Sequence, residues 1–180
     1  CKAKIIGIKK ETADAVTIKL LPNQHFQQPI PGQHIEIVVN VCGEKVKRHY
    51  TLSEINTDTV SITVKKQPDG KMSHWLHEHA KVGMVLAISS PKGQFVYNNQ
   101  EKVLFISAGS GITPSFAILN DLAKKAPLMD NALYYRSRSP EHTIFQEALE
   151  NPALSNHHFS YSDIGETQVS GNQSSSDEQW

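Results

Sequence analysis

Residues 103–114 read VLFISAGSGITP, and this stretch decides the fold of the second half of the chain. Its first five residues form a largely apolar run, which is typical of a parallel strand buried on both faces. The glycines that follow let the backbone turn tightly and approach a ligand closely. Thr113 suits the N-cap of the next helix, and Pro114 suits its first position because the missing N–H of proline would be unpaired there. The free amides and the helix dipole could bind an anion such as a diphosphate, although an ordinary strand–turn–helix corner has the same pattern.

Helices and strands continue to alternate downstream of this turn. The predicted helices are 114–125 and 143–150, and the predicted strands are 132–135 and 157–161. This alternation predicts a parallel α/β sheet that makes up about half of a doubly wound nucleotide-binding fold. We therefore expect a partial NAD(P)-binding α/β domain at 100–165 and a disordered polar tail at 166–180.

The first half of the chain has the pattern of an all-β domain. Short segments alternate apolar and polar residues with period two, which predicts half-buried strands. These segments are 16–20, 35–41 and 60–65, with further strands at 85–89 and 94–97 and one helix at 72–80. Short strands at this spacing favour an antiparallel barrel or sandwich over residues 1–99.

The composition excludes several classes of function. The 180 residues carry 18 Lys and Arg against 18 Asp and Glu, so the basic excess of a nucleic-acid-binding protein is missing. No apolar run reaches the ~20 residues of a membrane span, and we expect no signal peptide in this chain. Cys1 and Cys42 are the only cysteines, which excludes a cysteine-only iron–sulfur or zinc site and fits a reduced, cytoplasmic setting. Because residue 1 is not Met, we expect a preceding segment.

Two further segments have the chemistry of a phosphate and ring site. In RHYTLS, residues 48–53, alternation places Arg48 and Tyr50 on one strand face, where Arg offers a bidentate fork for phosphate and Tyr a stacking surface. The alternative is an exposed strand face of mixed polarity. GKMS, residues 70–73, opens the helix within the β domain, so its amides and the Ser73 hydroxyl could bind phosphate. Alone, such a glycine is often only a helix boundary.

Three histidines on the same helix do not make a convincing metal site. His74 and His77 share a helix face, but His79 points elsewhere, and no acidic or cysteine ligand completes a set. We expect a solvated helix face and no metal.

The three segments occur in an order that resembles the ferredoxin–NADP reductase-like superfamily of flavin oxidoreductases. The resemblance runs over residues 2–163 and includes Pro31-Gly32-Gln33 before the third strand. It implies a six-stranded antiparallel Greek-key flavin-binding barrel, followed by a partial doubly wound parallel nucleotide-binding sheet.

The resemblance also implies roles for individual residues. Arg48 contacts the flavin diphosphate, Tyr50 packs on the isoalloxazine ring, and Thr51 lies near the flavin N5 and assists hydride transfer. The amides of GKMS contact the diphosphate, and the glycine turn receives the nicotinamide nucleotide. The expected cofactor-binding residues are Arg48, His49, Tyr50, Thr51, Val64, Lys65, Gly70, Lys71, Met72, Ser73, Gly109, Ser110, Gly111, Ile112, Thr113 and Pro114.

Two further arginines bear on the choice of nucleotide. Arg136 and Arg138 end the second strand of the nucleotide domain, where a guanidinium could bind a ribose 2′-phosphate. Asp163, after the third strand, would repel that phosphate if it faced the same pocket. The sequence therefore favours NADPH over NADH.

The implied activity is that of an NAD(P)H-dependent flavin reductase with FAD, or FMN, as cofactor. Its expected partner is a one-electron acceptor, such as a ferredoxin-like iron–sulfur protein or an oxygenase or desaturase system. A [2Fe-2S] cluster is expected only if a missing segment carries it. The alternatives are a non-enzymatic flavin- or nucleotide-binding regulatory module, a cut-down barrel without a cofactor, and an inactive fragment. The family's Cys-Gly-Pro segment is absent here, which fits a truncated chain that does not turn over.

Overall fold

The computed structural model describes residues 1–98, 102–125, 130–151, 154, 156–163 and 170–171. Its first domain is a closed antiparallel barrel with the strand order β1-β2-β5-β4-β3-β6. The strands are β1 (Lys2–Lys10), β2 (Ala15–Pro22), β3 (His34–Val41), β4 (Glu44–Ile55), β5 (Val60–Lys65) and β6 (Val85–Ile88), and helix α1 (Lys71–His79) lies between β5 and β6. The barrel is therefore the fold that the family resemblance implied.

Period-two alternation fills the barrel as the sequence predicted. Ile18, Ile35, Ile37 and Ile62 are fully buried inside it. On the outer side of β5, a second layer of buried hydroxyls joins Thr63 to Thr17 of β2 (2.8 Å) and to Ser53 of β4 (3.0 Å). The fold tolerates these buried polar groups because each one finds a partner.

The second domain is a parallel sheet flanked by helices. Strands β7 (Lys102–Ala108), β8 (Asp130–Ser137) and β9 (Asn156–Tyr161) run parallel, and the two-residue β10 (Ser170–Gly171) pairs antiparallel with β9. Helix α2 (Ile112–Lys125) and the one-turn helix α3 (Gln146–Leu149) share one core with Tyr135 and Phe159. The sheet thus has the nearest-neighbour strand order of half a doubly wound fold. Within the tail predicted at 166–180, the structure describes only Ser170–Gly171, which form β10. The other tail residues and the predicted domain boundary at residue 99 lie outside the described residues.

The prediction that β7 is buried on both faces is wrong. Leu104 is 61% exposed and Ile106 is 74% exposed, whereas Phe105 between them is buried. Both helices of the second domain, as far as the structure describes it, lie on the Phe105 face. The opposite face of the sheet therefore has no covering layer among these residues.

Two predicted elements differ from the structure for local reasons. Residues 94–97 form no strand, because Gly93 turns the chain at φ +116° after Lys92 bridges to His34. The helix predicted at 143–150 shrinks to α3, because Phe145 takes the left-handed conformation at φ +63° and stacks on Phe116 with centroids 3.9 Å apart. A residue in that conformation cannot continue a right-handed helix.

The start of α2 also differs. A 3₁₀ turn, Gly109–Gly111, precedes the helix, which begins at Ile112 rather than at Pro114. Thr113 is therefore inside the first turn, and its hydroxyl donates to the Ser110 carbonyl instead of capping the helix. Within the residues described, no helix has both the length and the apolar character needed to cross a membrane.

Gly32 lies where the barrel packs closely against residue 95 and helix α2, and this packing leaves no room for a side chain. Its φ is +98°, and a Cβ there would overlap the Phe95 carbonyl oxygen and press on Ile118 of α2. Gly43, in the β3–β4 turn, has a similar φ of +82° but open space around it.

We expect Gly32→Ala to lower the free energy of unfolding by about 1–2 kcal/mol more than Gly43→Ala. Both variants carry the left-handed penalty of roughly 1–2 kcal/mol, but only the first adds a steric overlap. Urea unfolding of the two variants measures the difference. Equal losses would contradict the role of the close approach.

Candidate functional site

A cleft of about 400 Å³ lies between one end of the barrel and the first turn of α2. It brings together the three segments that the sequence singled out, which are far apart along the chain. The lining residues are Arg48, His49, Tyr50, Thr51, Thr63, Lys65, Gln67, Gly70, Met72, Ser73, Ser110, Gly111, Thr113 and Pro114.

Arg48 and Tyr50 supply a free cation beside a neutral ring. Arg48 is exposed and donates to the Lys47 carbonyl (2.7 Å), and it has no carboxylate partner among the described residues. Tyr50 packs against the barrel core. Its burial raises the pKa of Tyr50 to about 12, although the charge of Arg48 opposes the shift. The phenol is therefore neutral at pH 7 and suited to stacking.

Thr51 offers an unused hydroxyl, whereas the ring of His49 is engaged elsewhere. Thr51 is half-buried, and its side chain makes no hydrogen bond within the described part of the chain. His49 Nε2 lies 3.8 Å from Glu36 Oε2, and the ring packs edge-to-face on His34. His49 thus borders the cleft with its ring directed toward β3.

The GKMS turn presents backbone rather than side chains. The first helical hydrogen bond of α1 runs from the His74 amide to the Gly70 carbonyl, so the amides of residues 71–73 precede it and remain available to an anion. The Ser73 hydroxyl donates to Gly70 and accepts from the Gln67 amide, so it closes the turn instead of serving as a free donor. A Cβ on Gly70 would overlap Ser73 Oγ.

Several expected cofactor-binding side chains are committed to the fold. Met72 is 1% exposed in the barrel core, and Ile112 is fully buried in the core of the second domain. Lys71 pairs with Glu44 (2.7 Å), which lowers the pKa of that carboxyl. Val64 is buried inside the barrel, and its carbonyl contacts His77 Nε2 (2.9 Å). At these four positions the side chain is engaged within the protein, and at Val64 the backbone carbonyl is engaged as well.

The glycine turn is held in place by a buried tyrosine. Gly109 has a φ of +50°, and the Tyr135 hydroxyl donates to its carbonyl (2.9 Å). Gly111 faces open space, since no atom lies within 4 Å of a Cβ built there. Ser110, Gly111, Thr113 and Pro114 line the cleft, while Gly109 itself does not.

The two arginines expected at the nucleotide site are separated. Arg136 lies exposed on β8, outside the cleft. Arg138 follows β8 and makes ion pairs with Asp14 (3.5 Å) and Asp163 (3.8 Å). The sequence reasoning missed Asp14, because an aspartate in a β-turn is ordinary turn chemistry. It also missed Gln67, which lines the cleft. The position of Gln67 directly before the Pro68-Asp69-Gly70 turn could have indicated that it lies near the start of α1.

The histidines of α1 make separate contacts. His74 Nε2 contacts the Gln67 carbonyl (2.9 Å), His77 contacts Val64, and His79 stacks on Trp75. Among the described residues, no group of three or more potential ligands is placed to hold a metal ion.

A larger groove, about 660 Å³, lies between β1–β2 and α3. It is lined by side chains of both charges, including Lys9, Lys19, Glu54 and Glu147, and by none of the residues of the three segments. We therefore place the candidate site in the smaller cleft, where residues of the three segments converge.

Comparisons with known proteins identify the family of the chain. The family model described as oxidoreductase FAD-binding domain matches residues 3–97. One component of the 1,2-phenylacetyl-CoA epoxidase of Escherichia coli is 33% identical over 153 residues, which cover 81% of this chain and 43% of that protein. The glycine betaine monooxygenase reductase subunit of Chromohalobacter salexigens is 32% identical over 157 residues, which cover 82% of this chain and 42% of that protein.

A solved structure extends the likeness to the second domain. The FAD/NAD-binding domain of nitric oxide dioxygenase from Vibrio cholerae is 28% identical, with a TM-score of 0.82 over 92% of this chain and 75% of that one. The chain spans less than half the length of the two curated relatives. Because the family match takes in more than half of the residues and the barrel and parallel sheet agree with a flavoprotein structure, the chain belongs to the oxidoreductase FAD-binding family of ferredoxin–NADP reductase-like flavoproteins.

Proposed function

We propose that this chain binds FAD in the cleft, takes a hydride from NAD(P)H and passes electrons singly to a protein acceptor. The observation that carries the proposal is the convergence of Arg48, Tyr50 and Thr51 with the first turn of α1 and the glycine turn before α2. These groups come from both domains, so a ligand in the cleft would contact the barrel and the parallel sheet together.

The groups of the cleft fit a flavin dinucleotide. The unpaired guanidinium of Arg48 and the free amides at the start of α1 suit a diphosphate. The neutral ring of Tyr50 suits a flat aromatic system. The unused hydroxyl of Thr51 can donate to a ring nitrogen. A bound flavin supplies the redox chemistry, because it accepts two electrons as hydride and releases them one at a time.

The chain's own residues bind and orient. Arg48 and the α1 amides hold the phosphates, Tyr50 holds the ring plane, and Gly111 leaves room for a nicotinamide nucleotide beside it. No ionisable side chain is required for direct hydride transfer, since the main contribution of the protein is positioning.

The relatives guide the choice of acceptor. One is named as part of an epoxidase and another as the reductase subunit of a monooxygenase, so we propose an oxygenase component as the electron acceptor. The family match favours FAD over FMN. Both cysteines are free thiols, in keeping with the proposed cytoplasmic setting.

The direct test is visible absorption of the purified chain after incubation with FAD or FMN, followed by anaerobic addition of NADH or NADPH. Bleaching of a bound flavin supports the reductase. Bound flavin that neither nucleotide reduces favours a regulatory flavin-binding module. A chain that stays colourless with both flavins contradicts the proposal.

A glycine-to-alanine change at Gly111 separates ligand access from folding. We expect Gly111→Ala to leave the unfolding temperature unchanged, because the residue has open space and no positive φ. The added methyl group should still weaken NAD⁺ binding about tenfold, since it occupies the approach to the turn. Calorimetric titration of the flavin-loaded protein measures the effect. Unchanged affinity would show that the nucleotide does not approach this turn.

A further inference from the structure

A network of ion pairs among four residues connects the barrel to the parallel sheet beside the cleft. Its members are Lys65, Asp14, Arg138 and Asp163. Asp14, in the β1–β2 turn, lies 3.5 Å from Arg138 and 3.9 Å from Lys65, measured from its Oδ2. Asp163 lies 3.8 Å from the Nε of Arg138 on its other side. The guanidinium of Arg138 is therefore held between two carboxylates, one from each domain.

Asp14 is fixed in this position by its own turn. The Thr12 hydroxyl donates to Asp14 Oδ1 (2.8 Å) and accepts from the Asp14 amide (3.3 Å). The Asp14 side chain is only 23% exposed, against 48% for Arg138. A partly buried carboxylate that is anchored by a hydrogen bond from Thr12 holds a flexible arginine more effectively than a fully exposed carboxylate does.

The network lies at the edge of the sheet where ligands bind in open α/β folds. Arg138 and Asp163 follow the carboxyl ends of β8 and β9, and they remain paired there through the Asp163 amide and the Arg138 carbonyl (3.0 Å). Ligands of such sheets bind outside the carboxyl ends of the strands. Lys65 ties the network to the cleft, which it also lines.

We propose that Asp14 is a specificity-determining positioning residue, which holds Arg138 away from a ribose 2′-phosphate and makes the site prefer NADH over NADPH. The inference rests on the proposed function. Lys65, Asp14, Arg138 and Asp163 carry no net charge together, so a 2′-phosphate of nearly two negative charges would meet two carboxylates and, within this network, only cations that are already paired. A ribose hydroxyl, in contrast, can donate to the exposed carboxylate of Asp163. This preference is the reverse of the one that Arg138 alone suggests.

The test compares NAD⁺ and NADP⁺ binding to the flavin-loaded protein by calorimetry, without turnover. We expect NAD⁺ to bind about tenfold more tightly, the scale of one charge-assisted hydrogen bond. Asp14→Asn should remove one of the two carboxylates that hold Arg138 and strengthen NADP⁺ binding about tenfold, while leaving NAD⁺ binding unchanged. Glu11→Gln is the matched control, because it removes one negative charge from the same turn but from a residue paired with Lys9.

Repeating the Asp14→Asn change in Arg138→Ala protein distinguishes positioning of Arg138 from direct repulsion between Asp14 and the 2′-phosphate. In Arg138→Ala protein the gain from Asp14→Asn should disappear, and a gain that persists there would overturn the positioning role. If Asp14→Asn destabilises the protein, Asp163→Asn provides a second variant, because Asp163 is more exposed. We expect Asp163→Asn to raise NADP⁺ affinity as well. Tighter NADP⁺ than NAD⁺ binding by the unaltered protein overturns this inference and leaves the reductase function intact. Failure of both nucleotides to bind overturns the proposed function along with it.

Discussion

Replacing Arg48 with alanine is expected to weaken FAD binding by about 1.5–3 kcal/mol, or roughly ten- to hundredfold in the dissociation constant. Arg48 is exposed at the cleft, bonded only to a backbone carbonyl and free of carboxylate partners in the described part of the chain. Its charge is therefore available to a diphosphate without first breaking an ion pair. Flavin fluorescence quenching on titration measures the loss.

Lys47→Ala provides the matched control. It removes one positive charge from the adjacent position, but Lys47 is directed toward Glu36 (3.6 Å). We expect it to change flavin affinity by less than a factor of about two, because screened surface charges act weakly. Arg48→Lys should give an intermediate loss, since it keeps the charge and gives up the bidentate fork. Equal effects of Arg48→Ala and Lys47→Ala would mean that general charge, and not a specific contact, retains the flavin.

Local sequence patterns were sufficient where a structure depends on neighbouring residues. Period-two alternation located the barrel strands because a half-buried strand must place every second side chain inside, as Ile35 and Ile37 do. The strand, glycine turn and helix at residues 103–125 were also located from local patterns, whereas the predicted burial of both faces of β7 was wrong. The three cleft segments were predicted to meet only through the family resemblance, since no single motif specifies its distant partners.

The features that the sequence did not reveal depend on tertiary contacts. The pairing of Asp14 with Arg138 joins two domains, and no local pattern near either residue indicates it. Phe145 interrupts the predicted helix with a φ of +63°, and its ring stacks on Phe116, a tertiary contact that helix propensity does not include. The Ser73 hydroxyl has two candidate uses, as a ligand donor or in the turn, and only the position of Gln67 decides between them.

Replacing Thr51 with valine is expected to slow reduction of the bound flavin roughly ten- to hundredfold, or about 1–3 kcal/mol in the transition state. The strand holds Thr51 rigidly, because it pairs with His34 and the next amide, Leu52, donates to the Gln33 carbonyl (2.9 Å). Its hydroxyl has no hydrogen bond inside the described structure, so it is free to donate to a bound ring. Flavin affinity should change little, because the phosphate-binding groups lie on Arg48 and α1.

Thr63→Val is the complementary control at a second threonine of the same cleft. The Thr63 hydroxyl is buried between Thr17 and Ser53 and already hydrogen-bonded to both. Its loss should therefore lower the free energy of unfolding by about 1–3 kcal/mol and leave the reduction rate unchanged. Thr51→Val should do the reverse, slowing stopped-flow reduction by NADH without lowering the unfolding temperature. A normal rate in Thr51→Val protein with flavin bound would exclude a role in hydride transfer, and loss of flavin at a normal rate would assign Thr51 to binding instead. The two variants make the same threonine-to-valine change on neighbouring strands. Opposite effects on stability and on the reduction rate would therefore come from what each hydroxyl contacts.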